Sequence, residues 1–305
     1  MIRRVKYHEI DFKKYSDCLE NSQQRKYSAT KDFLDITSGK QWELLIYNDY
    51  EAVMPIPFVK KYGVKIVHNP RLCQQLGIFS PEDSIEVNEK FLHFLNENYL
   101  VRIYTFNDTN CFNSKIELKN NFIIYPDLYQ NVYAKYSPKR KRKLRLDEET
   151  SANSEIKEIT YEEAKNFIKA NFIGTKNEDD TLSFMKIFEL FFKMKYLKFS
   201  AFYYKSKIIN IIVTFFDKNT VALLGTFNDK EYVKLSGASV LIDKAIKEDI
   251  QTHIFDFEGG SLPNIEEFFR GFRPELKPYS ITESSKKELF RKLLKLILNG
   301  KFFKN

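Results

Sequence analysis

The chain of 305 residues is 43% hydrophobic and 15% aromatic, which excludes a disordered or fibrous protein and allows two cores at roughly 100 to 200 residues per domain. A formal net charge of +8 suggests anionic partners, although Lys, Asn, Ile, Phe and Tyr are abundant together and bulk charge says little about function. The three cysteines, Cys18, Cys73 and Cys111, lie far apart without C-x-x-C spacing and read as reduced, mostly buried thiols.

In chain order, the N-terminus alternates charged and apolar residues, so it lacks a secretion-signal core. No apolar run approaches the roughly 18 residues needed to span a bilayer, and the expected location is cytoplasmic. A strand is predicted at 4–10, a helix at 11–21 and a short helix at 30–37. The β-rich runs 42–47 and 51–58 form a hairpin around Asn48-Asp49-Tyr50. Pro55 and Pro57 cannot donate ladder hydrogen bonds, which predicts that the second strand lies at an edge or leaves the sheet early. A strand at 64–68, a helix at 86–98 with Val87, Phe91, Leu92 and Leu95 on one face, and a strand at 101–106 complete one unit.

The second half repeats this order. Thr160-Tyr-Glu-Glu163 has capping-box spacing and predicts a helix to about 171, followed by a helix at 180–196. A hairpin at 199–204 and 208–216, a strand at 221–227, a helix at 234–249 and a strand at 253–257 follow. In each half the helix between the last two strands is a βαβ crossover, so mixed sheets are expected. The expected fold class is therefore α/β with mixed α+β sheets. The polar stretch 137–153 divides an N-terminal module (1–136) from a C-terminal one (154–283). Ser285-Lys-Lys-Glu288 starts an amphipathic C-terminal helix (284–305) ending near Asn299-Gly300, which either packs on the body or lies on an anionic membrane.

Small residues at the start of the 234–249 helix let backbone approach a phosphate, and a helix N-terminus favours negative charge. Lys234-x-x-Gly237-x-Ser239 resembles the pyrophosphate loop of GNAT acetyltransferases, with Lys first and Ser last as departures. Lys234, Leu235, Ser236, Gly237, Ala238 and Ser239 are the cofactor-binding candidates that this resemblance implies. A glycine there equally serves close helix–strand packing.

The strand ending in Asp256-Phe-Glu258-Gly-Gly-Ser261, the helix ending in Phe268-x-x-Gly271-Phe272 and the pair Pro278-Tyr279 resemble the terminal signature of FemAB-like proteins. Trp42, the run Ala52-Val-Met-Pro-Ile-Pro57, Pro70 and Gln74-Gln75-Leu-Gly77 look like members of the same group. The resemblance covers nearly the whole chain. It implies two tandem GNAT-like modules around a central cleft and direct transfer of an activated acyl group to an amine. The donor it implies is acyl-CoA or aminoacyl-tRNA. The acceptor is a small-molecule or peptidoglycan-precursor amine, in cell-envelope biosynthesis.

Such chemistry needs a proton acceptor and donors for an oxyanion. Glu258 is the candidate base with Asp256 as its orienting neighbour, both on one face if the strand extends through Glu258. Alternatively these carboxylates cap the following turn or pair with Arg270. Tyr279 is a candidate acid or a packing element. His68, Gln74 and Gln75 are candidates for an acceptor pocket, or a merely hydrogen-bonded pair of glutamines. In 137–145 six residues are basic, and Lys139 and Arg142 are candidates for substrate phosphates on an entry helix, or part of a solvated basic face. His8, His93 and His253 are isolated, so no metal is expected. The alternative function is a nonenzymatic RNA- or anion-binding protein built from degenerate GNAT modules.

Overall fold

The computed structural model describes residues 1–61, 63–175, 177–260 and 262–298. The chain forms two compact units: Met1–Lys119 joined by the chain from Pro278 onward, and Asn120–Lys277.

The first unit opens with β1 (Ile2–Val5), and Tyr7–Glu9 then form a 3-10 turn where a longer strand is predicted. Asp11 caps α1 (Phe12–Glu20), its Oδ1 accepting from the Lys13 and Lys14 amides at 3.0 and 3.1 Å. α2 (Lys31–Ser38), β2 (Trp42–Tyr47), β3 (Ala52–Lys61) and β4 (Val64–His68) follow. Then come α3 (Ile85–Asn98), β5 (Leu100–Thr105) and β6 (Glu117–Lys119).

β7 (Phe122–Ile124) begins the second unit, followed by the short helices α4 (Tyr129–Lys135), α5 (Pro138–Leu144) and α6 (Glu148–Ala152). The polar stretch expected as a linker is thus mostly helical. Next are β8 (Ser154–Ile159), α7 (Tyr161–Ala170) with the Thr160–Glu163 capping box in place, and α8 (Glu178–Lys193). β9 (Leu197–Tyr204) and β10 (Lys207–Asp217) pair through a turn in which Lys205 and Ser206 both take left-handed φ, 48° and 63°, the conformation a tight hairpin requires. β11 (Thr220–Asn228), α9 (Gly237–Asp249), β12 (Ile254–Asp256), α10 (Pro263–Arg270) and β13 (Glu275–Leu276) complete the unit. The chain returns to the first unit as β14 (Tyr279–Glu283) and α11 (Lys286–Leu298), with Ser285 and Glu288 exchanging capping-box hydrogen bonds at its start. The expected helix end at Asn299-Gly300 lies outside the described residues, as does Ser261.

Two seven-stranded mixed sheets result, ordered β1-β2-β3-β4-β5-β14-β6 and β13-β7-β12-β11-β10-β9-β8. Each has one parallel pair, β4–β5 or β11–β12, bridged by α3 or α9. The repeat carries an exchange. The strand beside β5 comes from the C-terminal segment, while β7, beside β12, comes from the segment that precedes β8. The units therefore divide at 119/120 and 277/278. The boundaries near 136 and 283 read from composition differ because these strands gain their hydrogen bonds only from partners remote in sequence.

β3 lies between β2 and β4 in the sheet order and not at its edge, pairing with β2 over Ala52–Pro57 and with β4 from Phe58 onward. Its prolines fit because the Phe58 amide points to the β2 side, donating to Gln41 O, whereas the Val53 amide donates to Phe79 O on the other. Alternation then turns Pro55 and Pro57 away from β2, in the stretch before β4 begins. In the second unit, Leu241, Ile242 and Ile246 of α9 pack with Phe122, Ile209, Ile212, Val221 and Phe255 in the core.

Candidate functional site

In the second unit the parallel strands part at their C-terminal ends. β11 and β12 are in register only over Thr220–Ala222 with Ile254–Asp256, and β11 then continues to Asn228. A bulge leaves Leu224 without a partner on β10, since Val213 faces Gly225 and Thr214 faces Leu223. Leu224, Gly225 and Thr226 are only half-buried although β11 is a central strand, whereas Val221 and Ala222 are fully buried. An opening at the carboxyl ends of parallel strands is where α/β sheets bind ligands.

One lip of this opening is the turn after β12. β12 ends at Asp256, and Glu258 takes a left-handed φ of 49°, so the alternation expected to put both carboxylates on one strand face does not hold. Asp256 is 4% exposed, and its Oδ1 accepts from the Glu258 amide at 2.9 Å and from Asn121 Nδ2 at 3.0 Å. Asn121, wholly buried beside β7, accepts at Oδ1 from the Gly259 amide at 3.2 Å. Asp256 therefore caps and shapes the turn, and Glu258 is left half-buried at its apex. Gly260, with φ 124°, has no room for a side chain because a Cβ there would strike the Phe122 ring. Asn121 is the residue that sequence reasoning missed. It precedes a three-residue strand whose place is fixed only by its remote partner.

The predicted anion loop adopts a 3-10 turn, Lys230–Leu235, then a left-handed Ser236 (φ 62°) and the start of α9. Ser236, at the N-cap, makes no side-chain capping hydrogen bond. The Ser236 and Ser239 amides donate to Val233 O and Ser236 O at 3.3 and 2.9 Å. Lys234 is exposed, Leu235, Ser236 and Ala238 are half-buried, and Gly237 and Ser239 are buried. Gly237 serves close packing: a Cβ there would overlap Asn210 Oδ1 and lie 3.0 Å from Phe202 Cδ1.

Ser239 Oγ accepts from Arg140 Nη1. Arg140, in the middle of the basic run, is only 4% exposed. Its Cζ lies 4.3 and 4.1 Å from the ring centroids of Phe268 and Phe272, and Nη2 donates to Phe268 O at 2.6 Å. Gly271 of the Phe-x-x-Gly-Phe motif is explained by this residue, since a Cβ there would stand 3.0 Å from Arg140 Nε and Nη2. Burial pushes the guanidinium down to about 10, opposed by the charges of Tyr136 and Asp243. Phe272 and Phe269 also pack in tilted contact on Phe257, with ring centroids 5.7 and 4.7 Å away, which links the arginine to the Asp256–Gly260 turn. Lys139 lines the same end of α5 and pairs with Glu267 at 3.0 Å, whereas Arg142 is exposed.

The remaining candidates fall in the first unit. His68, at the end of β4, is exposed, its Nδ1 lying 2.5 Å from Asn69 O. Gln75 is buried, bonding Gln74 Oε1 at 3.3 Å and the Asp108 amide at 2.9 Å. This hydrogen-bonded glutamine pair sits in a segment that fills the carboxyl end of the β4–β5 pair. Asn69 Nδ2 donates to Thr105 Oγ1, Thr105 Oγ1 donates to Gln74 O at 2.6 Å, and the Leu76 amide donates to Thr105 O at 3.1 Å. Tyr104 OH fastens the same segment, donating within 3.0 Å of Pro55 O and 3.2 Å of Gly77 O. Tyr279 is a buried residue of β14 facing Lys119 of β6, and so belongs to the first unit. All three cysteines are free thiols, Cys18 and Cys73 buried and Cys111 exposed, in keeping with mostly buried thiols. Among the described residues no three His, Cys, Asp or Glu side chains group as a metal ion would need, and no helix is long and apolar enough to cross a membrane.

No protein-family model and no curated protein matches the sequence. Solved structures do match the fold. FemX aligns at a TM-score of 0.65 and 8% identity, over 95% of this chain and 99% of that one. A tandem GNAT protein from the clavulanic acid biosynthesis pathway aligns at 0.52 and 7% identity, over 93% and 99% of the two chains. L-PGS from Bacillus licheniformis aligns at 0.52 and 13% identity, over 93% and 96%. At these identities the likeness is one of fold.

Proposed function

We propose that this FemAB-like, GNAT-type fold serves an N-acyltransferase or aminoacyltransferase whose reacting groups meet in the opening between β11 and β12. The observation that carries this reading is the parting of the one parallel pair in the second unit, with a bulged, half-buried strand on one side and a half-buried carboxylate on the other. An acceptor amine attacks the acyl carbonyl, a nitrogen–carbon bond forms, and the bond to the donor's oxygen or sulfur breaks. Glu258 takes the amine proton and the leaving atom receives it. The bulge at Leu224 frees a backbone amide from the ladder, and this amide is the candidate donor to the developing oxyanion. Asp256 and Asn121 are positioning residues that hold the Glu258 turn.

The donor is an acyl-CoA or an aminoacyl-tRNA. The uncapped start of α9 favours a phosphate, while the internal bonds of the Ser236 and Ser239 amides leave fewer amides for a pyrophosphate than an open loop offers. The acceptor is a small-molecule or peptidoglycan-precursor amine, and the reading places the reaction in the cytoplasm. The test is transfer of labelled acyl groups from each donor to amine-bearing peptidoglycan precursors. Glu258→Gln is expected to lower kcat about 100-fold or more at unchanged melting temperature. An unaltered rate in this variant removes the base assignment. No transfer from either donor removes the function.

A further inference from the structure

Around the buried arginine, α5 and α10 enclose a cavity of about 410 Å³. Its wall contains five cationic side chains, Lys139, Arg140, Lys143, Arg270 and Arg273, against the single carboxylate of Glu267. Glu267 is already paired with Lys139 at 3.0 Å, and Arg270 with Glu266 at 2.6 Å. Among the described residues Arg140, Lys143 and Arg273 have no carboxylate within salt-bridge distance. Gathering cations in a concave wall without counter-charge costs free energy, and Lys143 registers it: partial burial and then the charges of Arg140 and Lys139 hold its ammonium below the usual range. Arg273 stands at a left-handed φ of 56°, where glycine would fit without strain. The backbone thus holds an arginine side chain at this wall in a conformation unfavourable for any residue with a Cβ.

We propose that this cavity is a binding site for a phosphomonoester or pyrophosphate group carried on a small molecule. Arg140 is the fixed member of the site, clamped by two phenylalanine rings, Ser239 Oγ and Phe268 O. Lys143 and Arg273 are the unpaired cations that close on the anion, and the Asn264 amide at the wall can donate to it. The volume falls in the range of small-molecule pockets, roughly 300 to 1,000 Å³. The cations converge on one hollow and do not form a stripe, and Lys141, Arg142 and Arg145 do not line it. That arrangement suits a compact dianion better than a run of nucleic-acid backbone. The site goes beyond the acyl-transfer reading, and binding alone tests it.

The experiment is calorimetric titration of the full chain with inorganic pyrophosphate at low ionic strength, with thermal melting in parallel. The wild type is expected to bind and to melt at a higher temperature with pyrophosphate present. Lys143→Ala and Arg273→Gly are each expected to raise Kd about tenfold, the loss of one charge-assisted contact. Lys165→Ala, on α7 outside the cavity wall, should leave Kd unchanged. Arg273→Gly should also keep or raise the melting temperature without ligand, because it relieves the left-handed backbone, so lost binding cannot be mistaken for lost folding. Absence of binding at millimolar pyrophosphate, or equal Kd in wild type and both cavity variants, overturns the proposal. So does tight, steeply salt-dependent binding of single-stranded RNA that pyrophosphate does not displace, which would make the wall part of a nucleic-acid surface.

Discussion

The two units share a strand order but treat the carboxyl ends of their parallel strands in opposite ways. In the first, the segment after β4 returns through Asn69, Gln74 and Leu76 to bond Thr105, and the end of β5 is buried. In the second, β11 bulges at Leu224 and stays half-buried, and the turn after β12 presents Glu258. The helix starts differ in the same sense. Ser84 caps α3 with its hydroxyl, and nearby Asp83 accepts from Asn88, Asn110 and the Cys111 amide, whereas Ser236 makes no side-chain capping bond at the start of α9. In unit 1 the carboxyl ends of the parallel strands are buried beneath the following segment, whereas in unit 2 they are half-buried, which is why the proposed reaction is assigned to unit 2.

The severest way to break this contrast is to overfill the close contact behind the open site. Gly237→Ala should cost about 2 to 3 kcal/mol in urea denaturation, because the new methyl meets Asn210 and Phe202. A cost near zero would mean that the α9 start is loosely seated. Next in size, Thr105→Val should cost about 1 to 2 kcal/mol, since it strips Asn69 and Gln74 of their buried partner. Amide exchange should quicken across residues 69–80, and uniform protection there would deny that the first unit is plugged. Leu224→Trp should change stability by no more than about 0.5 kcal/mol, because the site is half-buried, yet slow acyl transfer by blocking the opening. Full activity in that variant would move the reaction elsewhere.

The smallest effect concerns charge. Lys143→Met should stabilise the chain at neutral pH by less than about 1 kcal/mol, because it removes a crowded cation from a largely exposed position. The folded-state value of Lys143 is lowered, so its penalty is present while it is protonated and fades as pH rises from that lowered value toward its ordinary 10.5. The gain from the substitution should fade over the same interval in pH-dependent melting.

Local chemistry made much of this legible. The Thr160–Glu163 and Ser285–Glu288 boxes, the hairpins and both crossover helices follow from residues adjacent in sequence, and the structure has them. The strand exchange was not legible, because β6, β7 and β13 are two or three residues long and, like β14, pair only with partners supplied from elsewhere in the chain. Arg140 was hidden by its company. Reading 137–145 as one basic face overlooked that Val132, Tyr136, Arg140 and Leu144 recur at four-residue spacing, a stripe that the structure turns inward. The two carboxylates stand close in sequence, but their different positions were not legible there: Asp256 is buried and holds the turn, and Glu258 stands half-buried at its apex.

The strand exchange has a consequence for how the protein is made. Residues 120–277 are contiguous and complete their own sheet, whereas β5 must wait for β14, encoded more than 170 residues later, before its second edge is satisfied. On the ribosome the second half to be translated can therefore finish folding before the first. The nascent chain carries an unsealed sheet edge until its last strand emerges, an interval in which aggregation or chaperone capture competes with folding.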